Sequence, residues 1–257
     1  MVERALSFGS AAAAYERFRP GYPDELVEAV LAYAGRPVRT ALEIGAGTGK
    51  ATRAFAGRRI TVTATEPDAA MLAELRRHVP PSVTVVQAAF EEVPVTTTYD
   101  LVFAAASLHW TEPTQRWPRV AGLLNAGGTF ASFGGPILLA DQAVEAAVAA
   151  ARSPYLATDD IPSPDGTPAE APLQWPDTEL TASSLFTDVR QSVVERRTTM
   201  SARDYVGHLS TVSAYLELAA PNREAALAGI LEVLPEQVDV VADLTLHLAR
   251  LDRSPER

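Results

Sequence analysis

The stretch "ALEIGAGTGKAT", Ala41 to Thr52, constrains the fold of this chain more than any other segment. Before it, "VRTALEI" has the character of a buried strand. After it, "KATRAFAG" reads as a helix closed by Gly57. Gly45, Gly47 and Gly49 lie between them, and glycine's backbone freedom permits both a tight bend and the close approach of another group. A strand that runs through a glycine bend into a helix opens a parallel α/β unit.

The rest of the first half repeats that rhythm. "ITVTATE" is a strand and "DAAMLAELRRH" a helix, while "VTVVQA", "YDLVFAA" and "GGTFASFG" are three further strands. Alternation at this spacing implies a parallel sheet with helices on both faces. Upstream, "SAAAAYERFRPGYPDELVEAVLAYAG" reads as a short helix, a turn at Pro20-Gly21 and a second, amphipathic helix. Asp24 sits in the first turn of that second helix, where a carboxylate favours the helix dipole.

After Gly135 the rhythm breaks. "DQAVEAAVAAAR" is helical, but Ser153 to Pro176 is rich in Pro and acidic residues and suits a lid or loop better than core. "VRQSVVERRTTM" is expected as one strand, and "SARDYVGHLSTVSAYLELA" and "NREAALAGILEVL" as helices. Val238, Val240, Ala242, Leu244, Leu246 and Leu248 alternate with mostly polar residues, the mark of one strand with a wet face, able to pair antiparallel at a sheet edge. The expected organisation is a single domain over 1–257. It comprises a helical cover (1–35), a core (36–135), a lid insertion (136–180), and C-terminal strands and helices (181–257).

Composition narrows the function classes. A chain of 257 residues, 47% hydrophobic, can bury one full α/β core. A net charge of −10 with no Lys/Arg cluster argues against nucleic acid as a partner. Apolar runs such as "LVFAAASLHW" are too short to span a bilayer, and "MVERALSFGS" lacks the features of a secretory signal. Zero cysteines exclude disulfides and thiolate chemistry and fit a cytoplasmic enzyme. No His/Asp/Glu cluster suggests a metal. Lys50 is the only lysine, and its place in a first helical turn suggests a solvated side chain.

Three ligands compete for the glycine bend. A phosphate loop needs a Gly six positions before the Lys and a Ser or Thr after it; Ile44 and Ala51 stand there instead, so that reading fails. A dinucleotide site fits Gly45, Gly47 and Glu66, an acid about 20 residues on at the end of the second strand, but Lys50 occupies the third glycine position. The third reading turns on Glu43. A carboxylate two residues before the bend repels a pyrophosphate and attracts a ligand bearing an ammonium and a sulfonium. Glu66 serves a ribose in either case.

At this point the residues resemble the class I S-adenosylmethionine-dependent methyltransferases of the small-molecule ("type 11") kind. "LEIGAGTGKAT" is similar to the family's first motif, "TEPDAAML" to its second and "VQAAFEEVP" to its third. "YDLVFAAASLHW" and "LLNAGGTFASFG" are similar to the fourth and fifth. "YERFRPGYP" and "SARDYVGHLSTVSAY" further resemble the branch containing trans-aconitate methyltransferases. The resemblance implies a Rossmann-like, seven-stranded, mostly parallel sheet with the last strand antiparallel, and a cap inserted after the fifth strand. It implies S-adenosylmethionine held by Glu43, Gly45, Ala46, Gly47, Gly49, Glu66, Pro67, Met71, Ala89, Phe90 and Ala104. Tyr15 and Arg19 are expected to fold over the cofactor, with Arg19 on its carboxylate. Ala89 departs from the family, which often has Asp, Ser or Thr nearby. This leaves the adenine to the backbone of Ala89 and Phe90 with packing on Phe90, or to Glu91.

His109, directly after the fourth strand, is the catalytic candidate, as a proton acceptor or as pocket lining. Methyl transfer from a sulfonium needs alignment more than a base. Tyr22, His109, Trp110, Tyr155, Trp175, Tyr205 and Tyr215 are candidate acceptor-side residues, with the 141–176 insertion and the helices of 201–234 walling the pocket. His208 is a further substrate-side candidate. The function expected is methyl transfer to an O, N or C atom of a small organic molecule, a natural product or a carboxylate, by a monomer or homodimer without a nucleic-acid or membrane partner. A carboxylate acceptor requires an Arg from this region to face it. The alternatives are a cofactor-binding protein or cyclase that transfers no methyl group, and an NAD(P)-dependent oxidoreductase.

Overall fold

The structure is a computed structural model and describes residues 9, 11–160, 162–168 and 170–252. The opening segment read for a secretory signal lies almost wholly outside the described residues.

Helices α1 (Ala12–Phe18) and α2 (Asp24–Ala34) precede the sheet. Helix α2 carries Asp24 and Glu25 in its first turn and stops at Gly35, whose φ of 62° only glycine adopts freely. Its buried Leu26, Val27, Val30 and Tyr33 pack with Val62, Phe103 and Phe133. Strand and helix then alternate through β1 (Thr40–Ile44), α3 (Lys50–Ala56), β2 (Thr61–Thr65), α4 (Ala69–His78) and β3 (Thr84–Val86). Asp68 caps α4 by accepting the Ala70 and Met71 amides at 2.8 and 2.9 Å. Next come β4 (Tyr99–Ala105), α5 (Pro113–Gly122) and β5 (Leu124–Gly134).

Beyond Gly134 the chain forms β6 (Leu138–Leu139), α6 (Gln142–Arg152), α7 (Asp177–Ala182), β7 (Phe186–Val194) and β8 (Arg197–Ser201). Helices α8 (Ala202–Leu209), α9 (Ser213–Leu216) and α10 (Ala220–Val233) lead to β9 (Gln237–Val241) and β10 (Leu244–Leu251). The main sheet has the order β3-β2-β1-β4-β5-β10-β7. Strands β1 to β5 pair in parallel, and β10 runs antiparallel to both β5 and β7. This is the expected seven-stranded, mostly parallel sheet with its last strand reversed.

The second half differs from expectation in three places. "VRQSVVERRTTM" is two strands, β7 in the main sheet and β8 in a second sheet of order β6-β9-β8. The alternating run 238–248 likewise divides at Ala242-Asp243 into β9 and β10. The two crossings brace each other: the Ala242 amide donates to the Arg196 carbonyl at 2.9 Å and the Arg196 amide to Asp243 Oδ1 at 2.7 Å. Ala242 is buried within the kink, so the apolar alternation runs on unbroken and hides the break. Finally, "SARDYVGHLSTVSAYLELA" is interrupted between α8 and α9, where Thr211 Oγ1 bonds back to the His208 carbonyl at 2.7 Å.

The cap that follows β5 is built from two stretches of chain. Leu139, Val148, Tyr205, Leu209, Tyr215, Ile230, Val238 and Val240 form a core of their own. That core draws on β6 and α6 from one side of α7–β7 and on α8 to β9 from the other. The intervening segment returns to the main sheet, where Leu180 and Phe186 join the core around Trp117 and Phe130.

Candidate functional site

A cavity opens at the carboxyl ends of β1 and β4, lined on the sheet side by Glu43, Gly45, Ala46, Gly47, Thr48, Ala105 and Ala106. Open parallel sheets bind ligands at this end. Gly45 and Gly47 have φ of 63° and 58°, and a Cβ on Gly45 would stand 2.8 Å from Ser107 Cβ. Gly49 has another task. Its φ is 87°, and a Cβ there would lie 2.5 Å from Leu75 Cδ1, so this glycine lets α4 pack against the bend.

The bend's amides are largely spoken for. Ala46 N–H donates to the Thr65 carbonyl at 2.8 Å, Gly47 N–H to Glu66 Oε2 at 2.8 Å and Gly49 N–H to the Ala46 carbonyl at 2.9 Å. A pyrophosphate would need such amides free. Glu66 also accepts the Asp68 amide at 2.9 Å, so its carboxylate braces the bend. Its pKa is raised by burial.

Glu43 is 1% exposed yet lines the cavity. Its Oε2 accepts the Thr52 hydroxyl at 2.5 Å. Among the described residues it has no ion-pair partner. Burial pushes its pKa up to about 8, the Thr52 hydrogen bond opposing and the Glu66 charge adding to the rise.

Helix α1 covers the bend. Tyr15, Arg19 and Lys50 line the cavity from this side. Lys50 is not solvated as its helical position suggested: Nζ donates to the Glu16 carbonyl at 2.7 Å and lies 3.6 Å from Glu16 Oε2. Arg53 pairs with Glu16 Oε1 at 2.8 Å. Arg19 reaches the opposite wall, donating from Nε to Thr211 Oγ1 at 2.8 Å and from Nη2 to the Thr211 carbonyl at 3.1 Å.

The remaining wall comes from Pro20, Gly21 and Tyr22, from Gly134, Gly135 and Ile137, and from Arg196, His208, Ala242 and Leu244. Tyr22 stands edge-on to Phe133, with ring centroids 5.0 Å apart. Arg196 Nη1 donates to the Gly21 carbonyl at 2.8 Å. Gly135 must be glycine, because a Cβ would meet the Asp243 carbonyl oxygen at 2.0 Å. Sequence reasoning missed Arg196, Ala106 and Gly135. Ala106 has φ of 54°, a strained value for a residue with a Cβ, and no local pattern announces it. Arg196 carried a signal only as a basic residue in a strand whose break went unseen.

Several other candidates lie outside the cavity lining. Ala104 is fully buried in the core on the α5 side, one residue short of the lining Ala105. Met71 is buried beneath the bend, its Cε 4.0 Å from where a Gly47 Cβ would stand. The Pro67 carbonyl accepts Gln87 Nε2 at 3.4 Å. Ala89's amide already donates to Glu92 Oε2 at 2.9 Å, and Glu91 Oε1 accepts the Glu112 amide at 2.7 Å. Phe90 is buried in the core, with the Arg119 guanidinium 5.5 Å above its ring. His109 and Trp110 are half-buried in a single turn after β4, ring centroids 4.5 Å apart.

The acceptor-side aromatics are placed elsewhere as well. Tyr205 and Tyr215 are buried in the cap core, and Tyr155 is exposed at the surface. Trp175 packs near α7 with the Arg116 guanidinium 5.1 Å from its ring centroid. Among the described residues of 141–176 none lines the cavity, and α6 packs on α10 instead. Among the described residues no group of three His, Cys, Asp or Glu is placed to hold a metal ion, and no helix is long and apolar enough to cross a membrane.

Residues 41–128 match the family model of a methyltransferase domain. An uncharacterized methyltransferase of Mycobacterium tuberculosis is 42% identical over 127 residues, 49% of this chain and 51% of the relative. A probable S-adenosylmethionine-dependent methyltransferase of Saccharomyces cerevisiae is 28% identical over 124 residues, covering 46% of this chain and 43% of the yeast protein. The chain thus spans about half the length of the curated relatives it matches. A solved structure of a candidate type II methyltransferase from Anaeromyxobacter dehalogenans superposes with a TM-score of 0.63 and 23% identity, over 92% of this chain and all of the other. The family-model match falls on the β1 to β5 half that builds the glycine bend, and over that half the chain is similar to methyltransferases.

Proposed function

We propose that this protein binds S-adenosylmethionine in the β1–β4 cavity and transfers its methyl group to an O, N or C atom of a small organic acceptor. The observation that carries this reading is Glu43, a buried carboxylate in the cavity wall with no ion-pair partner among the described residues. Such a group is costly unless a ligand brings the countercharge. The amino group of methionine is that countercharge. The consumed amides of Ala46, Gly47 and Gly49 tell against a dinucleotide's phosphates, and so against an oxidoreductase.

The cofactor, when bound, supplies an electrophilic methyl group on a sulfonium. The chain's part is to bind, orient and exclude water. Glu43 holds the ammonium, and Arg19, with guanidinium N–H groups left beyond its two bonds to Thr211, takes the carboxylate. Glu66 retains lone pairs for a ribose hydroxyl while bracing the bend. Tyr15 and Tyr22 close the site between cofactor and acceptor. Arg196 supports the carboxylate version of the acceptor over an uncharged natural product. Holding the acceptor atom in line with the methyl carbon supplies most of the acceleration, with no base required.

Calorimetric titration with S-adenosylmethionine and S-adenosylhomocysteine tests the reading. Micromolar binding of both is expected, and no binding at millimolar concentration refutes it. Incubating cofactor carrying a labelled methyl group with small carboxylates separates transfer from mere binding. Label that never reaches any acceptor, despite tight cofactor binding, supports the binding-protein or cyclase alternative.

A further inference from the structure

Two further polar side chains, Arg196 and His208, line the cavity. Arg196 is half-buried, uses Nη1 on the Gly21 carbonyl, and has no carboxylate partner among the described residues. His208, in the last turn of α8, is 3% exposed and lines the same cavity. Its Nδ1 is buried without a hydrogen-bond partner. The ring is held from behind rather than tuned by a neighbour's acid. Gly207 seats the Phe18 ring, which would meet a Cβ there at 2.5 Å, and Thr211 ties the end of α8 to Arg19.

Burial and the nearby Arg19 charge push the His208 pKa down to about 3, so the imidazole is neutral wherever the protein works. A neutral imidazole offers one N–H and one lone pair. A carboxylate matches only the N–H and an ammonium only the lone pair. A hydroxyl matches either tautomer.

Building on the methyl-transfer reading, we propose that Arg196 and His208 form an acceptor subsite for a small hydroxylated carboxylate, the carboxylate on Arg196 and the hydroxyl on the His208 imidazole. His208 is then the residue that distinguishes a hydroxy acid from its deoxy counterpart. Arg196 provides the charge common to both.

The test uses the whole protein saturated with S-adenosylhomocysteine and three matched probe pairs: malate and succinate, citrate and tricarballylate, salicylate and benzoate. The hydroxylated member of at least one pair should bind tenfold or more tightly than its partner, as expected when a buried polar group otherwise goes unpaired. H208F should bring the two members within about twofold while leaving S-adenosylhomocysteine affinity unchanged. H208N, which keeps both a donor and an acceptor near the ring position, should retain the preference. The chain has four histidines, so the imidazole 15N signals are few enough to assign. Those of His208 should move with malate and not with succinate, a readout available even if H208F does not fold. No hydroxyl preference in any pair, or a preference that survives in H208F, overturns this subsite. Failure of S-adenosylhomocysteine to bind at all overturns instead the methyl-transfer reading on which it rests.

Discussion

Replacing Glu43 by Gln should make the protein more stable and less able to bind its cofactor. In the fold Glu43 titrates at about 8 instead of the ordinary 4.5, chiefly because burial penalises its charge. The folded state therefore holds a proton that the unfolded chain has lost. Stability falls as pH rises from about 4.5 to about 8, and the full penalty is present above 8. The gap corresponds to on the order of 5 kcal/mol. Gln at this position still accepts the Thr52 hydroxyl but keeps the desolvation cost of its own amide. The expected gain at pH 9 is thus smaller, about 2–4 kcal/mol, or roughly 5–12 °C in Tm for a chain of this size. At pH 4 both proteins carry a neutral group, and the difference should vanish.

Cofactor affinity should move the opposite way. Removing one partner of a buried charge pair costs about 2–4 kcal/mol, on the order of 30- to 1000-fold in Kd. Wild-type affinity should itself tighten about tenfold between pH 6 and pH 7, as Glu43 becomes easier to ionise. Calorimetry in buffers of different ionisation enthalpy should detect release of about one proton on binding in that range. Scanning calorimetry of both proteins at pH 4, 7 and 9, with S-adenosylhomocysteine titrations at each pH, decides the matter. E43Q that is less stable than wild type at pH 9, or that binds the ligand equally well, refutes the assignment of Glu43 as the ammonium partner.

Gly49→Ala should cost about 1–3 kcal/mol in chemical denaturation, because a left-handed φ and a 2.5 Å approach to Leu75 combine, whereas Gly21→Ala, which meets nothing within 4 Å, should stay within about 0.5 kcal/mol. Lys50→Met should loosen α1, speeding proteolysis near residues 11–19 and weakening cofactor binding severalfold with little change in Tm, since the desolvation of this largely buried pair offsets much of its attraction. His109→Ala should lower kcat less than about threefold and leave its pH profile unmoved, because the ring stands outside the cavity lining; a loss of a hundredfold or more would restore it as a catalytic base. Arg116→Met should destabilise by about 2–3 kcal/mol in urea melts, since this 1% exposed guanidinium ties Thr111 to Glu179 beneath Trp175.

The first half of the chain was readable because its physics is local. A parallel strand buried on both faces is a continuous apolar run, and Thr40–Ile44 and Tyr99–Ala105 read that way at sight. The glycine bend is likewise set by neighbours in sequence, so Gly45 and Gly47 could be singled out without knowing what they face. Gly49 shows the limit of that reasoning. It looks like its two companions, yet its glycine is required by Leu75 of α4 and by Val79 just beyond that helix. The break between β9 and β10 was unreadable for a related reason: Ala242 continues the apolar alternation across a kink set by the carbonyl of Arg196, 46 positions earlier.

The acceptor wall obeys the same rule in a stronger form. Aromatic content pointed to Tyr155, Trp175 and Tyr205, but large apolar side chains gain most where they are sealed from water, and Tyr205 duly sits in the cap's own core. The residues that do face the cavity are ones the interior would not otherwise tolerate: an unbalanced carboxylate, a half-buried guanidinium and a neutral imidazole without a partner. Each comes from a different element, Glu43 from β1, Arg196 from the β7–β8 kink and His208 from α8. Glu43 is 153 positions from Arg196, and although Arg196 and His208 are only 12 apart they lie on different elements, so the meeting of all three is a property of the chain crossings. A fold that leaves a carboxylate, a guanidinium and an imidazole with hydrogen-bonding capacity to spare around one cavity loses stability there, and ligands that use it recover that stability. S-adenosylhomocysteine and a hydroxy acid together should raise Tm by more than the sum of their separate effects. Purely additive shifts would mean that the two ends of the cavity act as unrelated sites.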